Sequence, residues 1–342
     1  MRRLLLDDKI ERVVIDGFTF ALGVYPTEPM EPLAGYTEQF EPADGATDTE
    51  ATNSSEQWEQ WPDRFVYDIA ISANRLPALC RGLFSLLPGR VFPILDVLGT
   101  DAYREIDPYL AYDRVGIEKF LEGLREFGPW LLEDGLVGFG AMSTDPFFYV
   151  FIDEHKLITV RTHADLKSRV EKQLAAFDLS AVREIRGADA AEHEHRSVLR
   201  LKPVSKVISA DEIVERLRDQ WVLQLNVDPR TNVDAEGNDL GITGWQCVAR
   251  CSMEGDESDS YAELLLTADS LEHAERMAEE AISSQAPKQS DWANVEIVRS
   301  DRVSPDQFAQ WVGKKEVNKK SVCEVHDIRW LAGGPPAQKR SR

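Results

Sequence analysis

Four cysteines in 342 residues are too few for a disulfide framework, which fits a reducing compartment. No apolar run approaches the roughly 20 residues that a membrane span needs. The basic start Met1-Arg2-Arg3 is followed by only three leucines, Leu4 to Leu6, before Asp7 and Asp8, well short of a secretory segment. The cytoplasm is therefore the expected compartment, and a membrane is not an expected partner. Positive charge is also scarce: 39 Lys and Arg face 60 Asp and Glu, a net charge of −21. Such a field repels phosphate backbones and argues against nucleic acid. Two basic clusters remain, Lys314, Lys315, Lys319 and Lys320, and the tail Lys339-Arg340-Ser341-Arg342. The first lacks the glycine–aromatic pattern of single-strand binders and reads as solvated surface. The second follows Gly333-Gly334-Pro335-Pro336, so residues 333–342 are expected to be a disordered basic tail.

Catalytic signatures are missing as well. There is no Gly-x-Ser-x-Gly elbow, no phosphate-cradling Gly-x-x-x-x-Gly-Lys-Ser/Thr and no dinucleotide Gly-x-Gly-x-x-Gly. Gly138-Phe139-Gly140 is only a fragment of the last, and glycine on a strand more simply permits close packing. No cofactor is expected from these motifs.

What is present is an ordinary globular composition, 43% hydrophobic and 29% charged, in a chain long enough for two domains. The runs Val13-Val14-Ile15 and Phe18-Thr19-Phe20 flank Asp16-Gly17, a hairpin signal because the turn needs positive φ. Residues 1–25 form this N-terminal hairpin. Residues 26–62 contain Pro26, Pro29, Pro32 and Pro42 and no Lys or Arg, and read as an acidic, partly disordered loop. Trp58 and Trp61 near its end either pin the returning chain to the core or offer a contact to a partner.

Residues 63–200 read as a first α+β domain. A strand at 65–71 is followed by a helix that Asn74 can cap, with Leu76, Leu79, Cys80, Leu83 and Leu87 on one face. A second strand, 91–98, makes this a βαβ unit or half of a split one. The next helix carries Ile117, Phe120, Leu121 and Leu124 and is expected to be interrupted at Gly128-Pro129. Two strand runs, a turn at Glu154-His155-Lys156 and a further strand lead to a helix with Leu166, Val170, Leu174 and Phe177. The polar stretch 180–202 marks a boundary near position 200. Residues 201–332 read as a second α+β domain, opened by the capping box Ser209-Ala210-Asp211-Glu212. A similar box stands at Ser304-Pro305-Asp306-Gln307. Strands and helices are mixed without strict alternation, so two mainly antiparallel sheets with packed helices are expected. Thr162-His163-Ala164-Asp165-Leu166 echoes Thr267-Ala268-Asp269-Ser270-Leu271, as ferredoxin-like units in tandem would. Common helix-start chemistry is the better explanation of the echo.

Candidate sites are few. Cys247, Cys251, Cys323 and His326 form a zinc set on paper, but residues 245–253 alternate as a strand does. Four positions along a strand span roughly 13 Å, too far for one ion, so buried packing is the better reading. Asn232, Asp234 and Glu236, followed by Gly237, resemble the first half of a calcium loop, yet the twelfth position is Thr243, where glutamate is needed. Turn chemistry produces the same composition. His193-Glu194-His195 places two imidazoles at alternate positions without an identifiable third ligand, and reads as a solvated loop. His155, His163 and His273 read as ordinary exposed residues. Asp101, Tyr103, Glu105, Asp107, Tyr109, Tyr112 and Asp113 mix acids and aromatics as a pocket wall would, against a plain connecting loop with solvated acids. The functional expectation is a non-enzymatic interaction or assembly component, with a protein partner or a second copy of the chain. Its rival is an enzyme or metal-dependent binder whose site is assembled from residues distant in sequence.

Overall fold

The computed structural model describes residues 3–43, 61–200, 207–252, 259–285, 294–313 and 322–332. Trp58 and the basic clusters lie outside these residues, as do residues 44–60 of the acidic stretch. The chain divides into two compact units: Met1–Val97 with Pro108–Asn226, and Leu98–Asp107 with Val227–Arg342. The division thus falls at Asn226, beyond the polar stretch 180–202, and the second unit takes a short excursion out of the first. Among the described residues no helix is long and apolar enough to cross a membrane.

The first unit begins with the expected hairpin, β1 (Val14–Ile15) and β2 (Phe18–Thr19), turned by Asp16 and Gly17 at positive φ. Then come β3 (Val24–Pro26), β4 (Gly35–Glu41), β5 (Arg64–Ala70), α1 (Leu76–Phe84), β6 (Arg90–Leu98), β7 (Ile106–Ala111) and β8 (Val115–Gly116). They are followed by α2 (Ile117–Glu133), β9 (Val137–Thr144), β10 (Phe147–Ile152), β11 (Ile158–Thr162) and α3 (Ala164–Ala176). Last are β12 (His193–His195), α4 (Ala210–Trp221) and β13 (Leu223–Leu225). A nine-stranded sheet runs β13-β7-β6-β9-β10-β11-β5-β4, with β8 on β6. The strands β9, β10 and β11 separate β5 from β6, so β5-α1-β6 is the split βαβ unit. The short strand β12 pairs separately with β3.

Period-two alternation divides the large sheet between its faces. One face buries Tyr67, Ile69, Val91, Leu95, Phe139, Ala141, Phe148, Val150, Ile158 and Val160 in a single core. The helices add Leu79, Leu83, Phe120, Trp130, Val170, Leu217 and Trp221 to that core. Helix α2 runs unbroken through Pro129, contrary to the expected interruption. A proline inside a helix costs about 3 kcal/mol. Trp130 and Leu131 lie beyond it and are completely buried, worth roughly 1.5–3 kcal/mol each, so packing carries the helix onward. Leu121, expected on the buried stripe, is exposed instead. Asn74 caps nothing; the residue at that helix start is Arg75.

The second unit contains β14 (Thr243–Ser252), β15 (Ser260–Ala268), α5 (Leu271–Gln285), β16 (Asn294–Val303), α6 (Pro305–Val312) and β17 (Glu324–Ala332). Its antiparallel sheet has the order β16-β14-β15-β17. Trp245, Cys247, Ala249 and Cys251 alternate inward on β14 and are buried. Ala274, Ala278 and Ile282 form the buried stripe of α5. The protein is thus an α+β fold with mainly antiparallel sheets. Sheets of nine and four strands in different orders give no support to a ferredoxin-like tandem. Ser209 caps α4 by accepting from Glu212 N at 3.2 Å, whereas Ser304 makes no side-chain cap and leaves the start of α6 to Pro305.

The second face of the large sheet carries Phe92, Ile94 and Asp96 of β6, Met142 of β9, Tyr149 and Phe151 of β10, and Arg161 of β11, all half-buried. Burial, aided by the nearby Glu154 charge, pushes the Asp96 carboxyl up to about 6. The folded state therefore holds this proton more tightly than the unfolded chain. That contribution is full below about pH 4 and is lost as pH rises through about 6. Asp96→Asn should consequently raise stability at pH 8 by about 1–3 kcal/mol and leave it nearly unchanged at pH 4. Urea unfolding at the two pH values checks this, and equal effects at both would contradict it.

Candidate metal centre

Two residues of one strand and one turn residue bring three imidazoles together in the first unit. On β12, His193 and His195 lie two apart and so project from the same side of the strand. The strand is held antiparallel to β3, with His193 opposite Pro26 and His195 opposite Val24. Glu194 takes the other side, where it pairs with Arg196 at 2.6 Å, and Arg196 lies over the Tyr25 ring at 3.9 Å. The approach of the strand is close: a Cβ on either Gly23 or Gly135 would overlap the backbone of the other. Arg196 N donates to Gly23 O at 2.8 Å and Gly135 N to Arg196 O at 3.2 Å.

The third imidazole, His155, lies in the turn between β10 and β11. That turn is closed by Asp153, whose N donates to Leu157 O at 3.0 Å and whose carboxylate accepts from Leu157 N at 2.8 Å. Lys156 adopts a left-handed φ of 66°, uncommon for a residue with a side chain. Its buried ammonium donates to Val137 O at 2.6 Å. Burial pulls the Lys156 pKa down to about 8 against the raising influence of Asp134 and Asp153. The turn is thereby fixed, and His155 with it.

The rings of His155, His193 and His195 meet edge to face, with centroids 4.8, 4.8 and 4.9 Å apart. One ligand atom from each lies within 4.8 Å of the others. His193 Nε2 and His195 Nε2 are separated by 3.2 Å. Two nitrogens bound about 2.0–2.1 Å from a tetrahedral ion stand roughly 3.3 Å apart, so this spacing is that of two ligands on one centre. His193 Nδ1 donates to Ala191 O at 2.8 Å; a carbonyl can only accept, so the proton is on Nδ1 and Nε2 presents a lone pair. His155 Nδ1 faces Asp153 and Glu154 at 3.6 and 3.5 Å. His195 Nδ1 is buried beside the Gly135 backbone but forms no hydrogen bond of normal geometry among the described residues. Whichever nitrogen of His195 holds its proton, one buried atom of the ring is left unpaired, at about 1–3 kcal/mol.

Electrostatics separate the three rings. At His155 burial works against the charged form, but the hydrogen bond and charge of Asp153, with Glu154 and Asp189, outweigh it and raise the pKa. At His195 burial and then the charges of His155 and His193 lower it. The sequence pattern pointed to the alternate pair on β12; the third ligand, 38 positions upstream, carries no local signal. The solvated loop expected at 193–195 is a paired, half-buried strand.

The other sequence candidates lie elsewhere. In the second unit, Asp101 has a side chain of 0% exposure and pairs with Arg302 at 2.9 Å. It also accepts from Arg302 N and Tyr103 N. Arg302 extends to Asn232 Oδ1 at 3.3 Å and Val233 O at 2.6 Å, and lies 5.3 Å from the Tyr103 ring centre. Asp107 is bonded to Arg104 at 2.6 Å. Glu105 supplies a backbone carbonyl to Gly99 N. Tyr109 belongs to the core of the first unit. In that unit Tyr112 is exposed and donates to Asn226, and Asp113 is exposed. The acids of the expected pocket wall are thus divided between a buried ion-pair network and the surface.

Asn232 is buried, donating to Gly241 O and Thr243 Oγ1. The Asp234 carboxylate accepts from Glu236 N, Asn238 N and the Asn238 amide, so its oxygens hold the loop itself, and Glu236 is exposed. Trp61 packs on Phe147 and Tyr149, with Arg64 and Arg161 at 5.1 and 4.9 Å, as a residue anchoring the returning chain does. Cys247 and Cys251 are buried in the sheet, and Cys323 lies with Asp269 and His273. His326 Nε2 is 3.1 Å from Thr267 Oγ1.

No family model, no curated protein and no solved structure matches this chain.

The Arg302 network gives a direct test within the second unit. Asp101→Leu removes one partner of a buried pair and should cost about 3–5 kcal/mol. Asp101→Leu with Arg302→Met removes both charges and should recover most of that loss, as read by urea unfolding followed by tryptophan fluorescence. A double variant no more stable than the single one would contradict the pairing.

Proposed function

We propose that the chain is a metal-dependent protein that binds one divalent transition-metal ion through His155, His193 and His195. The observation that carries this reading is the 3.2 Å approach of His193 Nε2 to His195 Nε2, with the His155 ring set against both. Two lone-pair-bearing nitrogens do not approach one another without a proton or a cation between them. A shared proton would satisfy this contact, but it would join only two of the three rings. A cation uses both lone pairs and draws on His155 as well. Carboxylates and a carbonyl behind the rings are also the usual company of metal-bound histidine, since they set the tautomer and raise the basicity of the ligand nitrogen.

Imidazole donors suit zinc, copper, nickel and iron. Calcium and magnesium prefer oxygen, so they fit this set poorly. The ligands come from distant parts of the chain, which accounts for the lack of a local motif. Neutral imidazoles are needed, so binding weakens as the rings protonate on acidification.

Metal-depleted protein titrated with zinc should bind one ion per chain, with a rise in melting temperature as zinc is added. His155→Ala should lower the affinity by at least about 100-fold, beyond the effect of losing a group behind a ligand. His163→Ala, in an exposed position outside the cluster, should leave affinity unchanged. The reading fails if the intact protein takes up no zinc, or if His155→Ala binds zinc as the parent does.

A further inference from the structure

The polar groups around the three imidazoles are unevenly placed, and their placement decides how many positions on a bound ion the protein can fill. Asp153 and Glu154 both lie against Nδ1 of His155, and Asp189 acts on His155 through its charge. The two nitrogens of an imidazole sit on opposite edges of the ring. With its Nδ1 edge occupied by carboxylates, His155 offers Nε2 to an ion, and the carboxylates are left behind the ring. Asp153 is further committed through its other oxygen to Leu157 N. The Ala191 carbonyl is spent in the same way, on Nδ1 of His193. Among the described residues no carboxylate or thiolate joins the three imidazoles as a fourth donor within 4.8 Å.

Structural zinc sites are closed by four protein ligands, whereas three protein ligands leave a position for water or substrate. Resting on the metal-binding reading above, we infer that the ion held by His155, His193 and His195 keeps one coordination position open and takes a small anion there, hydroxide from water being its ordinary occupant. Charge favours an anion: three neutral imidazoles leave the full 2+ of the ion uncompensated by its own ligands. At such an open position a divalent ion lowers the pKa of its bound water towards about 7, so a metal-bound hydroxide is available near neutral pH. The pattern is that of a centre that polarises or exchanges a small ligand.

Cobalt(II) loaded in place of zinc makes the coordination visible, because its absorption depends on ligand number and type. The intact chain carrying one cobalt should change its visible spectrum saturably when azide is added. Glu154→Gln should retain cobalt, with an affinity loss no greater than the 10–100-fold expected of a group behind a ligand, and should answer azide as the parent does. A cobalt-loaded parent whose spectrum ignores azide overturns the inference. So does a response that emerges only in Glu154→Gln, since that outcome makes Glu154 the fourth ligand. Failure of the parent to bind cobalt at all overturns the metal reading itself, and is distinguished from these two by the metal content of the dialysed protein.

Discussion

The candidate centre depends on one short ladder. Strand β12 is only His193–His195, and its pairing with Val24–Pro26 fixes which way every side chain on it points. A slip of one residue would put Glu194 where the imidazoles are and turn both histidines to the Tyr25 side. Three residues of pairing cannot hold register alone, and the chain on either side of the partner strand supplies the rest. Arg12 forms a two-pronged ion pair with Glu133 at 2.7 and 2.9 Å. Glu133 also accepts from Leu22 N through its side chain and from Gly23 N through its backbone. The Gly23–Gly135 contact then leaves no space for a side chain between the ladder and the end of α2. Side-chain-free backbone at these two positions is what lets the imidazoles come within reach of the β10–β11 turn.

The two halves of the centre are positioned by different physics. The turn at His155 is set by local bonds of Asp153 and by the buried Lys156 ammonium, all within a few residues or one strand away. The β12 side is set by contacts to residues about 60 to 170 positions earlier, Gly135 and Gly23–Pro26. Lys156 is held at a left-handed φ and out of water, and such backbone strain persists only where surrounding structure over-determines it. A second polar network, around Arg302, has the same character in the other unit, where one guanidinium gathers Asp101, Asn232 and Val233. There Nε and both terminal nitrogens of the guanidinium each meet a protein oxygen, and the arrangement reads as a fastening. In the imidazole cluster the outer nitrogens of His155 and His193 are matched, while Nε2 of His193 and Nε2 of His195 face each other.

Much of the fold was legible because it follows period and turn chemistry. The Asp16-Gly17 hairpin, the Leu76–Leu83 stripe, the inward alternation of Trp245 to Cys251 and the Ser209 cap follow from local rules. Pro129 misled because the local cost of proline was outweighed by burial of Trp130 and Leu131, a tertiary quantity. Leu121 was assigned to the buried stripe and faces solvent, because α2 turns its Phe120, Phe127 and Trp130 face to the sheet. The candidate site was half legible. The alternation at 193–195 was visible, but its partner strand and its third ligand belong to other parts of the chain, and a turn histidine such as His155 has no pattern to set it apart. The acids from Asp101 to Asp113 shared a sequence neighbourhood without sharing an environment, since the chain passes from one compact unit to the other between Asp107 and Pro108.

That passage has a consequence for how the protein is made. Asp101 and Arg302 are separated by 201 residues, so the carboxylate leaves the ribosome long before its guanidinium exists. At about 5–20 residues per second, the interval is roughly 10–40 s. During it Asp101 has only the neighbouring Arg104, 3.8 Å away in the finished fold, as a native counterion, and water solvates the rest of its carboxylate. The second unit is therefore finished only late in synthesis, around a piece of chain translated early.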